Sequence, residues 1–159
     1  MEKDTESLLL ASTKSTQKSL EAIRFGKAGL DKHRKRILER VPDVGDWAKF
    51  NRNSLELKDL AYLTAMVGDE FALLRGKRED ILFHGNHRCC SFNGILFDML
   101  KDGKLEIVGH SHPEEDIPIA SQEDRDTLRI INQNSSKVIS ARTGIIVEFG
   151  PNRFEIRRR

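Results

Sequence analysis

The chain has 159 residues, 27 basic against 25 acidic side chains, and 38% hydrophobic residues, which suits one compact domain with an extension and is not the composition of a disordered chain. No apolar run approaches the roughly 18–20 residues that cross a bilayer, so a membrane-spanning protein is excluded as an expectation. A formal charge of +2 gives no general pull toward nucleic acid.

Residues 1–24 are rich in Ser, Thr, Lys and Glu, with Leu8, Leu9, Leu20 and Ile23 scattered among them. The run Leu8-Leu9-Leu10-Ala11 is too short for the core of a secretory signal, which argues against export by a signal of its own. Residues 28–41 read as a helix, with Leu30, Ile37, Leu38 and Val41 on one stripe, and Pro42 ends it. The basic cluster at 32–36 reads as a solvated face rather than as a contact for RNA or an acidic partner, because no aromatic residue interleaves with it. Residues 42–54, with Pro42, Gly45 and two asparagines, read as a connection.

A helix is expected over 55–67, capped by Ser54 and stopped by Gly68, with Leu57, Leu60, Ala61, Thr64 and Val67 on one face. The period then changes. Glu70 to Leu74 and Ile81 to Phe83 have strand character around a turn at 75–78. Residues 93–102 read as a short helix stopped by Gly103, 105–109 as a buried strand, and 122–133 as a helix. Val138-Ile139, Ile145 to Phe149 and Phe154 to Ile156 read as strands. Strands and helices alternate, so the expected class is α/β or α+β, a mixed sheet flanked by helices. The change of texture near position 55 divides the chain into a helical extension with its connection, 1–54, and a domain, 55–159.

Cys89 and Cys90 are adjacent, which provides neither a disulfide framework nor a paired-cysteine zinc ribbon, and fits a reducing, cytoplasmic setting. His84 and His87, near Gly85, read as ordinary loop histidines. Glu114, Glu115 and Asp116 either steer a basic substrate or solubilise their loop. Trp47 and Tyr62 read as packing anchors.

The informative stretch is Gly109-His110-Ser111-His112-Pro113. In extended backbone, residues at i and i+2 point to the same side, so both imidazoles can reach one metal ion. A His-x-His alone is as often structural as metal-binding. Downstream, Ser121-Gln122-Glu123-Asp124 opens a helix, and Asp124 offers an oxygen ligand. Two histidines and one carboxylate leave a fourth zinc position open, the arrangement of a catalytic site. Ser-x-x-Asp is also a capping box that satisfies helix N–H groups, and the two roles are compatible. Hydrolysis at zinc needs a base, and Glu70, a charge at the head of an apolar strand, is the candidate; the alternative is an exposed glutamate at a strand edge.

These residues resemble the JAMM (JAB/MPN) zinc metalloproteases, whose pattern is a glutamate in a strand, then His-x-His-Pro, then Ser-x-x-Asp. Glu70-Phe71-Ala72-Leu73-Leu74-Arg75-Gly76 looks like the glutamate strand, His110-Ser111-His112-Pro113 matches the tetrapeptide, and Ser121 and Asp124 match the closing motif. The helix at 93–102 followed by Val108-Gly109 also looks like the lead-in to the histidines. The resemblance covers roughly 55–159 and extends to a JAMM/cytidine-deaminase-like fold. Two departures stand out: eight residues, 113–120, separate His112 from Ser121 instead of the usual seven, and Ala72-Leu73 stands where a glycine is common.

The resemblance implies that His110, His112 and Asp124 bind Zn²⁺, that Glu70 takes a proton from water and returns it to the leaving amine, and that Ser121 either donates a hydrogen bond to the oxyanion or fixes the water. The implied activity is cleavage of peptide or isopeptide bonds in a protein or peptide substrate, ubiquitin-like proteins included, whose tails bind extended beside a strand edge. Two alternatives follow from the same likeness: a JAMM-like scaffold that has lost catalysis, and a JAB-type module of a toxin or phage-associated effector, a setting in which it would be secreted.

Overall fold

Phe71-Ala72-Leu73-Leu74 and Ile81-Leu82-Phe83 are continuous apolar runs, the pattern of strands covered on both faces. In the structure, a computed structural model that describes residues 9–10 and 12–152, every one of these residues is buried. The strands are β1 (Leu9–Leu10), β2 (Trp47–Asn51), β3 (Phe71–Arg75), β4 (Glu79–His84), β5 (Glu106–His112), β6 (Ser136–Ser140) and β7 (Ile146–Phe149). The helices are α1 (Lys14–Arg24), α2 (Lys32–Glu39), α3 (Leu57–Val67), α4 (Gly94–Lys101) and α5 (Gln122–Ile130).

Among the described residues the strands form one sheet in the order β1-β7-β6-β5-β3-β4-β2. All neighbours are antiparallel except β5 and β6, which run parallel. A parallel pair needs a crossover, and the segment carrying α5 supplies it. The fold is therefore the expected mixed sheet flanked by helices.

Because side chains alternate along a strand, the sheet has two apolar faces. Phe71, Leu73, Leu82 and Ile139 pack with Leu20 and Ile23 of α1, Ile37 of α2 and Leu60 and Leu63 of α3. Ala72, Leu74, Ile81, Phe83 and Val138 pack on the other face with Leu96 and Leu100 of α4 and Leu128 of α5. Helices α1 and α2 and strand β2 lie within residues 1–54, and Leu20, Ile23, Leu30, Ile37 and Phe50 share the buried cluster of Phe71 and Leu73.

Several local expectations are corrected. Residues 42–54 contain an edge strand, β2, that pairs with β4 from Trp47↔Phe83 to Asn51↔Glu79. Helix α3 is capped by Glu56, not Ser54, in a capping box closed by Asp59. Ser54 instead donates to Asn51 O, and Leu55, which follows it before the Glu56 cap, is buried. Helix α5 ends at Ile130. His84 is no loop residue: it closes β4, stacks on Phe71, and its Nε2 lies 2.8 Å from Asp69 Oδ2. The strand expected at Phe154 to Ile156 lies outside the described residues.

Candidate metal centre

The histidine pair owes its direction to an irregularity in β5. Its pairing with β3 runs Ala72↔His110, Leu73↔Gly109, then Leu74↔Ile107, so Val108 is an extra residue. Such a bulge re-aims the side chains that follow it. Ile107 packs on the α4–α5 face, Val108 packs on the opposite face, and past the bulge His110 points again to the side of Ile107.

Helix α3 holds the back of the pair. Ser111, between the histidines, turns its hydroxyl the other way, 2.6 Å from Thr64 Oγ1, and accepts the Phe71 N–H at 3.0 Å. Gly109 leaves no room for a side chain under α3: a Cβ there would meet Leu57 Cδ2 at 2.5 Å and Lys137 O at 2.8 Å.

Helix α5 supplies the carboxylate. Ser121 is its N-cap, with Oγ accepting the Asp124 N–H at 3.0 Å, while Asp124 Oδ2 accepts the Ser121 N–H at 2.9 Å. The capping box and the ligand position thus coincide in one side chain. The eight residues from 113 to 120 do not displace it, since Asp124 Oδ2 lies 3.1 Å from His110 Nε2 and 3.5 Å from His112 Nε2. The two Nε2 atoms are themselves 3.1 Å apart.

These three separations test the fit to a metal ion. Ligand atoms at the roughly 2.0–2.1 Å of zinc bonds, placed on a tetrahedron, stand about 3.3 Å from one another. The observed 3.1, 3.1 and 3.5 Å edges match one face of such a tetrahedron. His110 Nε2 also faces two partners at once, which one ring proton cannot serve. Burial alone would raise the Asp124 carboxyl, but the charge and hydrogen bond of His110 outweigh it and hold the group well below the usual carboxylate range. The donor set fits a tetrahedral divalent cation with one position left open.

Glu70 sits one step further out, just before β3. Its Oε2 is 3.9 Å from His112 Nε2, longer than the Asp124 approach, and its Oε1 is buried with no hydrogen-bond partner among the described residues. Glu70 and the two histidines have ligand atoms within 4.8 Å of one another, so Glu70 lies within reach of an ion held there, with Asp124 Oδ2 the nearer oxygen to His112. The backbone fixes its place: Glu70 N–H donates to Asn86 O and Gly85 N–H to Glu70 O, each at 2.8 Å. Burial pushes the Glu70 carboxyl up to about 8, against the pull of the charge on His112. A carboxylate so desolvated is a stronger base than one in water. Burial also works against the charged His112, but its hydrogen bond to Asp124 and the negative charge of Glu70 prevail and raise it.

The residue that sequence reasoning missed is Glu115, whose Oε1 lies 2.6 Å from His112 Nδ1. An acid three residues after a candidate ligand histidine was the available signal, hidden in a run that read either as steering a basic substrate or as solubilising its loop. A groove of about 290 Å³ opens beside Asp124 between Phe92 and Phe97 on one side and Thr127 and Ile130 of α5 on the other. Cys89 and Cys90 line it as free thiols, and burial pushes the Cys90 thiol up. No helix among the described residues is long and apolar enough to cross a membrane. No family model, curated protein or solved structure matches the chain.

Proposed function

We propose that the chain is a zinc-dependent hydrolase of peptide or isopeptide bonds, similar to the JAMM metalloproteases, acting on a protein or peptide substrate of which a ubiquitin-like protein is one type. The observation that supports this most is the convergence of His110 Nε2, His112 Nε2 and Asp124 Oδ2 at metal-ligand spacing, with the unpartnered Glu70 Oε1 beside them. A bound Zn²⁺ supplies Lewis acidity, which acidifies water and polarises the scissile carbonyl.

In this proposal His110, His112 and Asp124 would hold the zinc ion. Glu70 removes a proton from the attacking water and returns it to the leaving amine, which is general base and then general acid work by one carboxyl. Ser121 accepts the Asp124 N–H and still has its own O–H proton, which it donates to the carbonyl oxygen as charge develops there. The groove beside Asp124 admits the chain on one side of the cleaved bond. The free thiols of Cys89 and Cys90 support a reducing, cytoplasmic setting.

The test is hydrolysis of a peptide library and of ubiquitin-like fusions by the zinc-loaded chain and its Glu70→Gln variant. Gln keeps the shape but cannot take a proton, so turnover should fall about 10²–10⁴-fold with zinc retained. Full turnover by Glu70→Gln refutes the mechanism.

A further inference from the structure

We propose that Glu115 is a positioning residue of the metal centre and that helix α1 holds it in place through Arg24. The inference rests on the metal-centre reading above and concerns what sets the affinity of that site.

The contact between Glu115 Oε1 and His112 Nδ1 is 2.6 Å long. A carboxylate only accepts, so Nδ1–H donates, and Nε2 is left free to present its lone pair to an ion held together with Asp124 and His110. Carboxylates in this position orient a ligating imidazole and raise its basicity. Yet the Glu115 side chain is 42% exposed, and a surface glutamate on a free loop samples many rotamers.

The backbone of its loop answers this, because three carbonyls are held by side chains from outside it. Arg24 Nη1 donates to Pro113 O at 2.8 Å, Ser140 Oγ to Glu115 O at 2.5 Å, and Thr143 Oγ1 to Asp116 O at 2.6 Å. Arg24 Nη2 also pairs with Glu114 Oε2 at 2.9 Å. Ser140 is the β6 partner of His112, so the hydroxyl that fixes Glu115 stands beside the histidine that Glu115 orients. Arg24 is the last residue of α1, whose Leu20 and Ile23 are buried against the sheet. The loop is thus strapped between α1 on one side and the β6–β7 turn on the other, and α1 serves the metal site without touching it.

Zinc affinity, read by competition with a chromophoric chelator on the full chain, tests this together with metal-free thermal unfolding. Glu115→Ala should weaken zinc binding about 10–100-fold with little change in metal-free stability. Glu115→Gln, whose amide oxygen still accepts from Nδ1, should recover most of it. Arg24→Ala should weaken binding by a smaller factor, and Arg24→Ala/Glu115→Ala should bind no more weakly than Glu115→Ala, since Arg24 acts through Glu115. Unchanged affinity in Glu115→Ala, or a full additional loss in the double variant, overturns the proposal. If Glu115→Ala does not fold, Glu115→Asp decides: its shorter carboxylate falls short of Nδ1 and must lower affinity. A wild-type chain that binds no zinc overturns the metal centre itself, a result distinct from a variant that binds as well as wild type.

Discussion

Leu57 of α3 occupies the space that a side chain on Gly109 would need: an added Cβ would stand 2.5 Å from Leu57 Cδ2. The helix therefore packs directly on the backbone of β5, one residue before His110, and a glycine at 109 is what permits it. The second obstacle, Lys137 O at 2.8 Å, belongs to the neighbouring strand and cannot swing aside.

Gly109→Ala should accordingly destabilise the fold by about 1–3 kcal/mol, the range of overpacked interiors. Thermal unfolding would show a fall of several degrees for a domain of this size. A melting temperature equal to that of wild type would mean that α3 does not lie this close.

Metal analysis distinguishes the ligands. Wild type should hold about one zinc, and His112→Ala close to none. Asp124→Asn is the more instructive variant, since the Asn oxygen still accepts the Ser121 N–H and closes the cap while the ligand charge is gone. Helix α5 should persist by circular dichroism with zinc affinity reduced; equal zinc in all three proteins would remove the assignment.

Ser121 is the N-cap of α5 and, in the proposed mechanism, the oxyanion donor, and different substitutions separate the two. As N-cap, its replacement by Ala costs about 1 kcal/mol, while Gly costs only a few tenths. As oxyanion donor, either replacement should lower turnover about 10²–10³-fold. Ser121→Gly should therefore be nearly as stable as wild type and much slower. Normal turnover by that variant would leave Ser121 as a cap alone.

Asp80 provides a pH test away from the metal. It is fully buried, with Oδ1 2.7 Å from Arg75 Nε and Oδ2 accepting the Leu55 N–H at 3.2 Å. Burial raises its carboxyl, but the hydrogen bond to Arg75 and the backbone donors outweigh that and leave it lowered. The folded value thus lies below the unfolded value of about 3.9. The stabilisation is present above about pH 4 and is lost as pH falls through the folded value. Asp80→Asn should cost roughly 3 kcal/mol near neutral pH, the low end for a broken buried pair because Arg75 keeps some contact with water. The stabilities of the two proteins, from denaturant melts, should begin to converge as pH falls below about 4, and a gap that does not change with pH would contradict the role of the ionised carboxyl.

What the sequence made legible follows from how strong each local signal is. The doubly buried strands β3 and β4, the glycine stop of α3 and the same-side histidines all rest on short-range periodicity or backbone sterics, and they stand where they were expected. Strand β2 was hidden because it is an edge strand: only Phe50 of its five residues is buried, so there is no alternation to read, and the flanking Pro42 and Gly45 dominate. The true cap of α3 was hidden because the buried Leu55, tied to Asp80 from β4, shifts the helix start past Ser54. The role of Glu115 depends on Arg24, Ser140 and Thr143, residues remote in sequence whose meeting only the fold creates.

The capping box of α5 has a consequence for how such chains change over time. One oxygen of Asp124 closes the helix start and faces both histidines, so helix stability alone would keep a capping residue at 121 and a side-chain acceptor at 124 even without the proposed hydrolysis. A descendant that abandoned the chemistry would lose His110, His112 or Glu70 first, residues whose burial is costly once the ion no longer compensates it. Decay of the proposed centre would therefore be recorded first in the strand residues, while a capped helix start would remain at 121–124.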